Sequence, residues 1–303
     1  MKKLSIIAVL LLAFQMHGQQ DPQYTQYMYN MNVVNPAYAG SRENLSFGLL
    51  YRNQWSGIDG GPETGTFFGH APVGNNLGIG LSVIADQIGP VKETNTYVDV
   101  SYTLNLGGEH KLAFGVKAGA TFHDINLSSS NVDVIDNTDP FFGMGINETT
   151  PNIGAGFFYY TQKYYVSLSV PNLLSSVHLD DSDLNIGTET QHYFLTGGYV
   201  FDLSPNTELK PSVMVKSAFD APTSFDVNVN ARFYKKFEIG ASYRLDDSFS
   251  GLVNFALTPS VRVGYAYDAV SSDIKAYAPA SHEIMFLFDL NFSKRISRSP
   301  RYF

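Results

Sequence analysis

Three places in this 303-residue chain carry residue types suited to metal or nucleotide chemistry, and their spacing argues against each. His282-Glu283 begins like a zinc-protease helix motif, but Phe286 stands where the second histidine must sit, so one helix face cannot grip a metal. Asp181, Asp183 and Asn185 have calcium-loop spacing. The turn glycine comes one residue late, at Gly187, and His192 occupies the place of the bidentate glutamate, which makes a solvated acidic loop the default reading. Gly143-Met144-Gly145 lacks the third glycine of a dinucleotide fingerprint, and neither a nucleophile elbow nor a phosphate-binding loop appears. The sequence has no cysteine, so disulfides, thiol chemistry and lipidation at a processed N-terminal Cys are unavailable. A formal net charge of -8 argues against a nucleic-acid partner. These residues point to a non-enzyme with no cofactor and no metal, although a hydrolase assembled from distant Ser, His and Asp is a third reading.

Alternation carries more information than motifs do. In Ser224 to Phe233 one parity reads Phe225, Val227, Val229, Ala231, Phe233, and the other reads Ser224, Asp226, Asn228, Asn230, Arg232. Side chains on a strand alternate faces, so one face is apolar and the other ionic. Phe237 to Arg244 and Val261 to Ala269 repeat the pattern, and Ile284, Phe286, Phe288, Leu290 and Phe292 form an unbroken apolar parity in the last strand. The runs exceed the five or six residues usual in soluble sheets and carry aromatics near their ends, the mark of a lipid-facing band between aromatic girdles. About fourteen strands are expected between residues 44 and 292, closing into an all-β transmembrane antiparallel barrel. Even-numbered connections, such as Pro72 to Asn76, Gly107 to His110 and Tyr234 to Lys236, are tight. The odd-numbered set holds every long segment: Arg52 to Glu63, Leu127 to Pro151 and Pro171 to Thr190. Short periplasmic turns and longer extracellular loops fit this asymmetry, and an even strand count puts both termini in the periplasm.

The inward parity sets Lys210, Lys216, Asp226, Arg232, Glu238, Arg244, Arg262, Asp268, Glu283 and Asp289 toward the lumen. Mixed signs on neighbouring strands favour internal ion pairing and a gated or plugged interior over a pore selective for one charge. The N-terminus, with Lys2 and Lys3 before an apolar run from Leu4 to Phe14, reads as a signal peptide over residues 1–18. Residues 19–43 then form a periplasmic segment, 44–292 the barrel, and 293–303 a basic periplasmic tail.

Three stretches together resemble the PorP/SprF family of type IX secretion and gliding-motility membrane proteins: Gln23 to Tyr29 followed by Asn35, Pro36, Ala37, Tyr38, Ala39, Gly40; Tyr51 to Trp55 with Gly60, Gly61 and Pro62; and Arg298, Ser299, Pro300, Arg301, Tyr302, Phe303. The resemblance implies an outer-membrane component paired with a secreted cargo or adhesin at its extracellular loops and tied to periplasmic peptidoglycan-associated machinery. Asn35 to Gly40, Trp55, Arg298, Arg301, Tyr302 and Phe303 are the docking residues it suggests. On the residues alone, Asn35-Pro36 biases the chain to an extended or turn conformation and Gly40 permits a left-handed backbone, so the stretch serves equally as a rigid plug or rim lock. The basic tail is either a grip on an acidic partner or a solvated end. An anchor for a surface protein is the leading function; a passive or hydrophobic-solute channel is the alternative.

Overall fold

The computed structural model describes residues 23–42, 44–126, 145–174, 180–181, 184–185, 191–218 and 221–290. Fourteen antiparallel strands make the wall: β1 (Leu45–Ser56), β2 (Glu63–Val73), β3 (Leu77–Ile88), β4 (Val91–Gly107), β5 (His110–Asn126), β6 (Gly145–Tyr160), β7 (Tyr164–Val170), β8 (His192–Tyr199, resumed as Phe201–Ser204), β9 (Thr207–Ala218), β10 (Ala221–Phe233), β11 (Phe237–Arg244), β12 (Ser248–Thr258), β13 (Val261–Val270) and β14 (Ala280–Leu290). Each pairs with its chain neighbour, and β1 closes on β14 in the register Leu45↔Leu290 through Asn53↔His282. The sheet therefore has no free edge, as lipid requires of a spanning structure.

Burial is inverted relative to a soluble protein. On β4 and β5 the solvent-facing side chains are Val98, Val100, Tyr102, Phe114 and Val116, with Val116 61% exposed, whereas Lys117 and Lys210 are buried. An apolar outside around a polar inside is stable only where the outside meets hydrocarbon. Among the described residues no helix is long and apolar enough to cross a membrane; the crossing is made by strands.

All six even-numbered connections are short, leaving the long ones at the opposite rim, as the spacing predicts. The predicted strand limits need correction on that second rim. Residues 87–94 are expected to connect a strand ending at Asp86 to one starting at Asn95, but β3 and β4 stay paired through Asp86↔Glu93, Gln87↔Lys92 and Ile88↔Val91 and turn at Gly89, whose φ is 55°. Likewise β6 starts at Gly145, seven residues before the expected Asn152, and pairs with β5 down to Asn126. Here the outward residues become polar (Lys92, Thr94, Thr96, Asp124), so the β3–β6 wall rises beyond the apolar band. About ten residues suffice for a tilted strand to span hydrocarbon, and β4 and β5 have 17 each.

Candidate functional site

The lumen is filled by the chain's own N-terminal segment. Residues 23–42 run through the barrel as a 3-10 turn (Tyr27–Tyr29), one short helix (Met31–Val34) and a second 3-10 turn (Pro36–Tyr38), and nearly all of them are buried. Asn35 sets the break between the last two. Its extended backbone, favoured before proline, ends the helix, while its side chain caps the next turn by accepting from the Ala37 N–H at 2.8 Å. Pro36 at the first position of that turn loses no hydrogen bond.

The segment enters beside the long-connection rim. Glu283 accepts the N–H groups of Thr25 and Gln26, each at 2.9 Å, and Thr25 Oγ1 donates to Asp268 at 2.8 Å. Arg52 bridges these two carboxylates, at 2.8 Å from Asp268 and 3.2 Å from Glu283. Arg244 grips Asp226 with two nitrogens, at 2.8 and 2.9 Å, and donates to Gln23 Oε1 and the Tyr24 carbonyl. Removing one member of such a buried set strands the opposite charge, at a cost of about 3–5 kcal/mol.

Farther in, the Tyr29 hydroxyl donates to Glu238 and its ring lies 4.7 Å beneath Lys210 Nζ. Asn32 donates to Asp99, Lys117 Nζ donates to the Val33 carbonyl at 2.8 Å, and Ser169 Oγ donates to that of Val34 at 2.9 Å. Asn35 Nδ2 reaches the Phe157 carbonyl and Ser167 Oγ. Tyr38 packs edge-on against His70 and Phe158. The segment leaves at the short-turn rim, where Gly40 N–H donates to His70 Nδ1 and Arg42 pairs with Asp289 at 3.0 Å.

Glycines in the wall make room for this passage. A Cβ on Gly115 would lie 2.1 Å from Ala37 N, on Gly156 2.1 Å from Asn35 Oδ1, and on Gly78 2.2 Å from the Ala39 carbonyl oxygen. At Gly115 and Gly78 backbone meets backbone, which only glycine permits, and at Gly156 the wall backbone meets the Asn35 amide.

Of the residues expected to dock a partner, Asn35, Pro36, Ala37, Tyr38, Ala39 and Gly40 therefore lie inside the barrel against β2–β7. Residues 23–42 form its inner core, not the separate periplasmic segment expected for 19–43. Trp55 stands at the long-connection rim, half-buried, with φ of 57° and its N–H donating to Ser281 Oγ. A bulky residue held in the left-handed region is strained, a condition that clusters at functional positions. Arg298, Arg301, Tyr302 and Phe303 lie outside the described residues, as do the signal segment and basic tail. β1 begins and β14 ends at the short-turn rim, while Gln23 lies near the opposite one.

The ionic parity faces inward as expected; Arg244–Asp226 and Arg232–Glu208 pair across neighbouring strands, and Arg262–Glu238 pairs past the strand between them. Arg52, Asp99 and Lys117 belong to the same lining and were not singled out. Their inward parity with Leu50, Ser101 and Gly115 was the available signal. His282 and Glu283 point to opposite faces: Glu283 holds the inner segment, and His282 bonds Tyr265 on the outer side at 2.8 Å. Asp181 pairs with Leu184 and Asp180 with Asn185 in a two-rung ladder; Asp183 lies outside the described residues. Among the described residues no group of three or more metal-binding side chains converges. Above Gln23 a cavity of about 560 Å³ opens at the long-connection rim, bounded by Trp55, His192, Lys216, Arg244 and Asp247.

A family model described as type IX secretion system membrane protein PorP/SprF matches residues 16–288. No curated protein sequence matches the chain. Among solved structures it is similar to the toluene transporter TbuX of Ralstonia pickettii, at 11% identity and a TM-score of 0.52, and to the CymD monoaromatic hydrocarbon channel, at 13% identity and 0.51. Each likeness covers 86% of this chain and 93% of the other. At these identities the likeness is one of fold, an outer-membrane β-barrel.

Proposed function

We propose the following role for this chain, which belongs to the PorP/SprF family of type IX secretion system membrane proteins: a non-enzymatic outer-membrane anchor that holds a secreted surface protein at its long-connection rim and couples to envelope machinery at its short-turn rim. The observation that carries the reading is the filled lumen. A barrel whose interior is laced to its own N-terminal segment from Thr25 to Arg42 is built as a solid post with two working ends.

Those ends differ chemically. The long-connection rim carries Asp59, Glu63, Asp124, Asp246 and Asp273 against Lys92 and Lys275; the short-turn rim carries Lys111, Lys163, Lys235 and Lys236 against Glu109 and Asp202. Opposite potentials suit different partners, because charge complementarity steers encounter and sets specificity. In this reading the short-turn rim faces the periplasm and its peptidoglycan-associated secretion components, and the long-connection rim faces outward to a secreted cargo or adhesin. The polar residues that line β10 and β11, Asn228, Asn230, Arg232 and Glu238, support this over a hydrophobic-solute channel.

Crosslinked pull-down from native envelopes tests the role. Recovery of secretion-system components, or of one surface protein crosslinked through Trp55 or Asp273, is the expected result. Recovery of the barrel alone after efficient crosslinking rules out the anchor.

A further inference from the structure

We propose that residues 23–32 are a gate over a polar conduit along β9–β13, and that residues 33–42 are the fixed base on which this gate stays attached. The two parts of the inner segment fit their surroundings unequally. From Val33 to Arg42 the backbone is seated on Gly78, Gly115 and Gly156, its carbonyls are taken by Lys117, Ser169 and Ser101, and Asn35 uses its whole side-chain amide. Among the described residues, none of these ten leaves a buried side-chain polar atom without a partner.

The leading part is different. Both amide atoms of Gln26, both of Asn30 and Oδ1 of Asn32 are buried without a hydrogen-bond partner. The wall opposite shows the same deficit, at both amide atoms of Asn254 and at Oδ1 of Asn228 and of Asn230. Gln26 lies against this wall, since a Cβ on Gly264 would meet both Asn254 Oδ1 and Gln26 Oε1. Buried polar groups in native proteins are normally paired, so facing deficits on the gate and on this wall mark a seam that parts more readily than the fully paired base, while Ser82, Thr150 and Thr196 elsewhere in the lining each hold one such atom as well.

Across the seam Tyr29 donates to Glu238, and Asn228 and Asn230 donate to the Tyr27 and Tyr29 hydroxyls, while Asn32 donates to Asp99. The charged hold is a latch at the leading end, where Glu283 and Asp268 clasp Thr25 and Arg244 clasps Gln23 and Tyr24. The latch borders the cavity at the long-connection rim, so it is reached from that side. Displacing the gate uncovers amides and charges of both signs, a surface that passes small hydrophilic ions with little preference of sign and rejects apolar solutes.

Planar-bilayer recording of the purified full chain in potassium chloride tests this. The wild-type barrel is expected to stay closed almost throughout. The variant Arg52→Ala/Asp268→Ala/Glu283→Ala removes all three charges together, so none is stranded, and is expected to raise open probability at least tenfold with weak ion selectivity. The cysteine-free chain gives a second readout, with Asn30→Cys in the gate and Ser41→Cys in the base introduced singly. Maleimide labelling of Asn30→Cys should accelerate at least tenfold in the unlatched background, with Ser41→Cys protected in both. If the triple variant does not fold, Gln23→Ala/Thr25→Ala decides, because it removes the side-chain half of the latch, Gln23 to Arg244 and Thr25 to Asp268, and leaves the wall pairs and the backbone grip of Glu283 intact; a smaller rise is then expected. A folded unlatched variant as silent and as protected at Asn30→Cys as wild type overturns the proposal. So does equal labelling at both cysteines, which means the whole segment leaves as one.

Discussion

The inner segment meets two walls that hold it by opposite means. Strands β3–β6 receive it on glycine, with backbone atoms so near that no Cβ fits, while β10–β14 receive it on carboxylates, guanidinium groups and amides. Close packing is short-ranged and all-or-none in geometry; ionic grip tolerates displacement but depends on every partner staying charged and in place. One barrel thus has a side that fixes position and a side whose hold is reversible.

The contrast can be broken by substitution, with urea unfolding of the barrel in lipid vesicles read through Trp55, the single tryptophan. Arg244→Ala removes the guanidinium bonded twice to buried Asp226 and is expected to cost about 3–5 kcal/mol. Next, Asn35→Ala should cost about 2–3 kcal/mol, roughly 1 kcal/mol for each of its three hydrogen bonds. Gly156→Ala pushes a methyl onto Asn35 Oδ1, and overpacking of that kind costs about 1–3 kcal/mol. Asn254→Leu replaces an amide that has no partner, so a change within about 1 kcal/mol of either sign is expected. A loss at Asn254→Leu as large as that at Asn35→Ala would erase the distinction between the walls. The smallest effect belongs to Lys163→Ala, whose pair with Asp202 is exposed at the short-turn rim and contributes at most about 1 kcal/mol.

Much of the wall was legible because alternation is a local property. Phe225, Val227 and Val229 face out and Asp226, Asn228 and Asn230 face in, as period two requires, and the last strand reads the same way. The height of β3–β6 was not legible. Above the lipid band both faces of a strand meet water or protein, so the stretch between Asp86 and Asn95 looks like a connection although its backbone stays paired up to the turn at Gly89. Asn35-Pro36 announced a rigid turn, and the turn is there. Its place in the lumen was hidden, because QYTQYMYNMN has no apolar stripe to orient it. The residues suit a cavity whose lining is itself polar, and that complementarity is visible only once the wall is closed.

The order of the chain has a consequence for how such a barrel is made. The inner segment precedes β1, yet its partners include Glu238 and Glu283, 209 and 258 residues further along. Contacts over such separations form late and slowly. The segment therefore gains those partners only as the last strands come round, and a seam sealed before it is seated would trap an empty tube.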